Sequence, residues 1–307
     1  MSARVLNIAH RGGAGLWPEN TMAAFEAGFA LGADGAELDV QLTKDGRIAV
    51  FHDHDLKPEI VRDASGRWLE KKGPRISQMT FAELQAFDVG RLKPGTRYAE
   101  THPEQEARDG ERIPLLDDVV ALAKRTNKRL WIELKTPLLG GKGAENAVTL
   151  ADAVIDLLQT HDAVQLATFV AFDWAGLVHA KRRAPGIETR FTTLPQRWFA
   201  DPVPKEDEPP PPDQLAALRR MAAEGAPWEA GVHPKDHRGL RGAVKAAGGD
   251  GWFPYFPDVT PETAAETKAF GLSLAAWTVN DPAEMRRLIA LGADGICTDR
   301  PDLFPAR

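Results

Sequence analysis

Cysteine is almost missing from this sequence. The single copy in 307 residues, Cys297, excludes an intrachain disulfide and is neutral about compartment. Beside Ile296 it reads as a small buried hydrophobe. Long apolar runs are missing too: no stretch of about 18 apolar residues occurs, which argues against a membrane span. The N-terminus lacks the apolar core of a signal peptide, because His10 and Arg11 arrive after only a few apolar residues. The cytoplasm is therefore the expected location. There is no basic run and no aromatic-studded basic stripe; with 38 basic and 44 acidic residues the net charge is −6. Nucleic acid is not an expected partner, and an anionic substrate must be attracted locally, by a metal or a few cations in a cleft. No surface helix rich in Lys and Arg speaks for a membrane substrate or anchor. No G-x-G-x-x-G follows a strand, which removes a dinucleotide site. Cys clusters and H-E-x-x-H are also absent, which disfavours zinc. Oligomeric state is left undetermined.

What is present is ordinary for a globular chain, 43% hydrophobic and 27% charged. The length admits two domains, but α/β barrels reach this size as one, so a single domain over 1–307 is expected. Strands are expected at Val5 to Ala9, Ala36 to Leu42, Ile48 to Phe51, Arg129 to Leu134, Val164 to Val170, Ile187 to Thr192, Trp252 to Phe256, Leu272 to Val279 and Gly295 to Thr298. Helices fall between most of them. Asn20 is the expected cap of the first, with Met22, Phe25 and Phe29 at helical spacing and Gly32 as its stop. Others are expected at Leu116 to Arg125, Ala144 to Gln159, Asp173 to Arg183, Leu215 to Ala223, Leu240 to Ala247, Pro261 to Phe270 and Pro282 to Leu291. Alternation of strand and helix implies parallel βαβ units, and about eight strands suggest a closed (β/α)8 TIM barrel, with a doubly wound sheet as the alternative. Leu31-Gly32-Ala33-Asp34-Gly35 recurs as Leu291-Gly292-Ala293-Asp294-Gly295, as a repeated helix-to-strand corner would. The irregular segment at about 53–113 reads as a long insertion over the active face, and inside it a capping box at Thr80 to Glu83 opens a short helix to about Phe87. The Pro-rich run from Pro202 to Pro212 reads as a solvated loop.

In a barrel, functional groups sit where strands end. His10 and Arg11 end the first strand, and Glu37 and Asp39 stand two apart late in the second, so both project to one face. His52 and Asp53 follow the next extended run; Glu133 and Lys135 end another strand, again two apart. Singly, each has a structural explanation as a salt-bridged or hydrogen-bonded side chain. Together they would repel unless a cation or an anionic ligand compensated them. Three carboxylates suit a hard cation, Mg²⁺ or Ca²⁺. Arg11 and Lys135 suggest a phosphate or other oxyanion, and two imidazoles can act as general acid and base. This set describes phosphoryl chemistry on a diester or monoester. Trp277 ends a strand and is a candidate pocket wall, whereas Trp131 and Trp174 read as packing residues. His54 is expected to face solvent. His233 and His237 stand at helical spacing in a segment where Pro234 and Gly239 argue against a helix, so ligation there is not expected.

HRG at 10–12, PENT at 18–21, Phe25, GADGAELDVQLTKDG at 32–46, HD at 52–53, IELK at 132–135, WTVN at 277–280 and GADGICTDRP at 292–301 together resemble the glycerophosphodiester phosphodiesterase family. The resemblance spans both ends of the chain. It implies a (β/α)8 barrel that hydrolyses glycerophosphodiesters to an alcohol and glycerol 3-phosphate with a divalent cation. By position it implies His10 and His52 as the acid–base pair, and Glu37, Asp39 and Glu133 as metal ligands. It implies Arg11 and Lys135 as phosphate contacts, Glu19 and Asn20 near the site, and Trp277 lining the pocket. The chain departs from the family pattern after the second histidine, where Lys57-Pro58-Glu59 replaces an Arg-Thr pair. Its loops at 57–112 and 194–250 are long. The alternatives are a phosphodiesterase or lyase on lysophospholipids or sphingolipids, and a non-catalytic barrel that binds a phosphate ligand. Which histidine is acid, and whether the nucleophile is water or a substrate hydroxyl, stay open.

Overall fold

The computed structural model describes residues 4–139, 143–204 and 209–305, with only the backbone of residues 143–145. Eight parallel strands close a ring: β1 (Leu6–Ala9), β2 (Gly35–Leu42), β4 (Arg129–Leu134), β5 (Ala167–Ala171), β6 (Glu188–Thr192), β7 (Gly251–Phe253), β8 (Ser273–Ala276) and β9 (Gly295–Thr298), with β1 hydrogen-bonded to both β9 and β2. The short β3 (Ile48–Val50) pairs antiparallel with β2 outside the ring, so β2 meets β4 directly. The expected strand at Val164 begins only at Ala167, because Val164–Leu166 winds as a 3-10 turn. Among the described residues no helix is long and apolar enough to cross a membrane.

Alternation explains why the ring closes around a polar rim and an apolar floor. Leu130, Ile132 and Leu134 of β4 face outward into the helical layer, with Leu38 and Val40 of β2. Trp131, one step between them, points into the barrel among Ile8, Val170, Phe253, Ala275 and Cys297. Its ring meets Phe253 edge-on at 5.2 Å, and a Cβ on Gly295 would stand 2.9 Å from the indole. The indole thus fills the space a side chain at 295 would need. Cys297 is buried in this floor, as its neighbours suggest.

The helices cover the ring: α1 (Met22–Leu31), α4 (Leu116–Thr126), α5 (Gly143–Thr160), α6 (Trp174–Arg183), α8 (Leu240–Ala246), α9 (Pro261–Ala269) and α10 (Pro282–Ala290). Thr21, not Asn20, caps α1, accepting from the Ala24 N–H; Asn20 lies one residue earlier in left-handed backbone, its amide committed elsewhere. The repeated corner is real. In both copies a glycine in left-handed backbone follows the helix, and the Asp34 and Asp294 N–H groups donate to carbonyls of the neighbouring strand, Asn7 at 2.8 Å and Leu274 at 2.7 Å.

Two excursions leave this frame. Residues 53–113 carry the short α2 (Phe81–Leu84), opened by the Thr80–Glu83 capping box, and α3 (Arg97–Thr101). They build a separate apolar cluster of Leu56, Ile60, Val61, Ile76, Leu84, Val89 and Ile113 on Ala49 of β3. Glu106 N–H and the Gln105 amide donate to the Leu16 and Ala14 carbonyls, so the insertion is tied to the loop after β1. The second excursion carries α7 (Pro212–Ala223), which begins at a proline in the first turn, three residues before Leu215. Part of the Pro-rich run, 205–208, lies outside the described residues.

Candidate active site

The β2–β4 pairing assembles the carboxylates. In register Asp39 opposes Glu133 and Glu37 opposes Trp131, so inward positions on adjacent strands bring three carboxylates together. One oxygen from each of Glu37, Asp39 and Glu133 lies within 4.8 Å of the others, the one such metal-holding group among the described residues. Glu37 and Asp39 are buried. Burial and then the charge of Asp39 push Glu37 up to about 8. Burial opposes ionisation of Asp39 as well, but His52, Arg11 and Lys135 and the Asn20 amide outweigh it and hold that carboxyl below the usual range. Asp39 Oδ1 is buried without a hydrogen-bond partner. Crowded hard oxygens, one carboxyl resisting ionisation and one orphaned acceptor fit a divalent cation in water-completed coordination.

Cations ring this cluster. Lys135 Nζ donates to Glu133 Oε1 at 2.8 Å and lies 3.6 Å from Asp39 Oδ1. Burial disfavours its charge, yet these carboxylates raise its pKa above the ordinary value. Arg11 sits in left-handed backbone, φ 50°, between β1 and Gly12, whose φ is +86°. That turn points the Arg11 N–H at Glu37 Oε2, 3.2 Å, and sends the guanidinium to Glu19 at 3.1 Å and Asp39 at 3.3 Å. Asn20 donates to Asp39 Oδ2 at 2.9 Å, while its N–H donates to the Arg11 carbonyl. A side chain at 12 would put Cβ 2.8 Å from Ala24 Cβ, so the turn requires glycine twice over. Glu19 also accepts from the Tyr98 hydroxyl, a contact from α3 of the insertion.

Each imidazole has a carboxylate near Nδ1, but only His10 is hydrogen-bonded to its own. His10 Nδ1 lies 2.6 Å from Asp299 Oδ1, with Nε2 turned toward Glu37 at 3.8 Å. Burial works against the His10 charge, but Asp299 outweighs it and the pKa is raised. Asp299 is held at about 2 against burial by His10 and the Asn280 amide, which donates to Oδ2 at 2.8 Å. His52 Nδ1 is 3.5 Å from Asp53 Oδ2. Gln41 anchors this loop: its amide donates to the Phe51 carbonyl at 2.7 Å and the Asp53 carbonyl at 2.9 Å.

Every site residue read from the sequence reaches this rim. Trp277 stands beside it, its indole N–H donating to the Phe253 carbonyl at 3.1 Å and its ring against Phe172 and Tyr255. His54 departs from its expected place in solvent. Its Nδ1 meets Gln41 Oε1 at 2.9 Å, and burial with the nearby Lys135 charge lowers its pKa to about 4. His233 meets Glu229 at 3.4 Å in an irregular segment. Sequence reasoning puts Asn280 at a strand end on this rim without a role, and missed Asp299, Gln41 and Tyr98 as parts of the site. Asp299 had a signal, since it follows directly on the last strand; Tyr98 had none.

A closed barrel with its ionisable groups gathered at the strand ends has the architecture of a barrel enzyme. The model of the glycerophosphoryl diester phosphodiesterase family matches residues 10–303, and the chain belongs to that family. A glycerophosphodiester phosphodiesterase of Bacillus altitudinis is 32% identical over 296 residues, covering 96% of this chain and 94% of its own. A crystal structure from Silicibacter pomeroyi DSS-3, assigned to glycerophosphoryl diester phosphodiesterases, aligns with TM-score 0.79 at 32% identity over 98% of this chain and 92% of its own. An Oleispira antarctica phosphodiesterase, solved in complex with the product sn-glycerol-3-phosphate, shares the fold with TM-score 0.67 at 22% identity over 98% of this chain and 94% of its own.

Proposed function

We propose that the chain hydrolyses glycerophosphodiesters to sn-glycerol 3-phosphate and an alcohol. The reading rests on family membership and on one structural observation: three mutually close carboxylates, two partly buried cations and two imidazoles, one of them hydrogen-bonded to Asp299, share a single strand-end rim. Glu37, Asp39 and Glu133 would hold a divalent cation, Mg²⁺ or Ca²⁺, which when bound supplies Lewis-acid stabilisation of a phosphoryl oxygen. Arg11 and Lys135 bind the remaining phosphate oxygens and neutralise the charge that builds on them. Asp299 fixes the Nδ1 proton of His10, so its Nε2 faces the substrate, and Asp53 stands 3.5 Å from His52 Nδ1 as its nearest carboxylate. One imidazole accepts a proton from the attacking water as its oxygen bonds to phosphorus. The other donates a proton to the alcohol oxygen as the second P–O bond breaks. Glu19 and Asn20 orient Arg11 and Asp39.

The decisive experiment follows glycerophosphocholine hydrolysis by metal-loaded and chelator-treated protein, with metal content measured in parallel. Turnover that disappears with the metal and returns on adding Mg²⁺ or Ca²⁺ supports the reading. Chelator-insensitive turnover overturns the metal assignment, and full activity in His10→Ala or His52→Ala overturns the acid–base pair.

A further inference from the structure

The inner face of β2 carries three polar side chains in a row. Glu37 and Asp39 belong to the carboxylate cluster, and Gln41, two residues further, stands on the same face and is buried too. Gln41 grips the loop after β3 on both sides of His52. Its amide nitrogen donates to the Phe51 carbonyl at 2.7 Å and to the Asp53 carbonyl at 2.9 Å. The Phe51 N–H in turn donates to the Asp39 carbonyl at 2.9 Å. The main chain flanking His52 is thus tied to the strand that carries two of the three carboxylates.

The orientation of this amide is dictated by its partners. Carbonyls only accept, so the NH₂ group must face Phe51 and Asp53, and Oε1 must face away from them. There Oε1 lies 2.9 Å from His54 Nδ1. An amide oxygen also only accepts, so Nδ1 of His54 carries a proton and donates it. The ring of His52 has no comparable anchor. Its Nδ1 and the facing Asp53 Oδ2 lie 3.5 Å apart, and both are buried without a hydrogen-bond partner among the described residues. His10, by contrast, is held directly by Asp299 at 2.6 Å. What places the His52 imidazole is therefore its main chain, and Gln41 holds that main chain.

We propose that Gln41 and His54 are positioning residues for His52, fixing its imidazole relative to the phosphate by clamping its loop to the strand that carries the cation ligands. This rests on the hydrolysis proposed above. Both act through His52, so they govern the rate of proton transfer and not the binding of substrate or metal. Gln41 bears the larger share, because its loss leaves two loop carbonyls without their donor, whereas His54 serves only the amide oxygen.

The test measures kcat and KM of the metal-loaded enzyme on glycerophosphocholine and, separately, Mg²⁺ affinity by calorimetry without substrate. Gln41→Met keeps the length of the side chain and removes its hydrogen bonds. Its kcat should fall about 30- to 100-fold, the cost of a displacement of roughly 1 Å. KM and Mg²⁺ affinity should stay within about threefold of wild type. His54→Phe should lower kcat about fivefold. His54→Asn, whose amide can donate from the position of Nδ1, should recover most of that loss, which a general loosening of the fold would not allow. A loss carried by KM or by Mg²⁺ affinity overturns the assignment. So does a wild-type kcat in Gln41→Met, or a His54→Asn variant no faster than His54→Phe. Should Gln41→Met not fold, the His54 pair decides. A wild-type enzyme that leaves the diester intact refutes the proposed function instead.

Discussion

Replacing Asp299 by asparagine tests the acid–base reading most sharply, because the neighbouring hydrogen bonds dictate how the new amide must lie. Asn280 Oδ1 accepts from the Asp299 N–H at 2.9 Å and from the Thr298 hydroxyl at 3.1 Å. A backbone N–H only donates, so the Asn280 amide nitrogen is the group facing the 299 side chain. In Asp299→Asn the side-chain oxygen therefore stays toward Asn280, and the new NH₂ turns toward His10 Nδ1. Nδ1 must then accept, which moves the imidazole proton to Nε2 and removes the lone pair that faces the substrate. Alanine imposes no tautomer. We expect kcat/KM to fall about 10²- to 10⁴-fold in Asp299→Asn, roughly 3–5 kcal/mol of transition-state stabilisation, and about tenfold less in Asp299→Ala. An asparagine variant within threefold of wild type, or milder than alanine, refutes the argument.

The same carboxylate carries a stability signature. Its pKa falls from the ordinary 3.8 to about 2 on folding, worth roughly 2–3 kcal/mol at neutral pH. A group whose folded pKa is depressed contributes stability above its unfolded value and loses it as pH falls through the folded one. The difference in urea stability between wild type and Asp299→Asn should thus shrink toward pH 2 as Asp299 takes up its proton, and also decline as pH rises through the raised His10 pKa, leaving its maximum between about pH 4.5 and 6. A difference that grows as pH falls from about 4.5 toward 2 contradicts the assigned pairing.

Three further perturbations reach other parts of the rim. Tyr98→Phe removes the donor to Glu19 yet keeps the ring on which Lys57 Nζ lies at 4.4 Å; kcat/KM should fall about five- to tenfold, with the melting temperature nearly unchanged. Loss of folding in place of loss of rate would contradict that role. Glu133→Gln should weaken Mg²⁺ or Ca²⁺ binding, measured calorimetrically without substrate, by at least about tenfold, and unaltered affinity would remove Glu133 from the ligand set. Gly12→Ala meets both a positive φ and a backbone neighbour at 2.9 Å, so urea denaturation should show a loss of about 2–3 kcal/mol, while a neutral change would mean the turn is not as built.

The parts of this molecule legible in its sequence are those written in local periodicity. Glu37 and Asp39 could be put on one face because a strand alternates. The strand at Arg129–Leu134 was bounded correctly because Leu130, Ile132 and Leu134 on one face and Trp131 on the other are apolar, as a strand between a helical layer and a barrel floor must be. The strand at Ala167–Ala171 was overextended because Val164 and Leu166 are equally apolar in a 3-10 turn. Asn20 and Thr21 are both competent caps, and what separates them is tertiary: Asn20 is drawn into left-handed backbone to reach Asp39, 19 residues away. The closeness of Asp39 to Glu133 depends on β3 folding outside the ring and letting β2 reach β4, which no local pattern encodes. Asp299 meets His10 only because β9 closes against β1, pairing Thr298 with Ala9 across nearly the whole chain. The insertion has least periodicity of all, and it supplies Tyr98. A barrel strand must satisfy a repeating neighbour on each side, so its sequence repeats. An excursion over the rim answers only to the few groups it covers, so its chemistry becomes visible once the ring has closed beneath it.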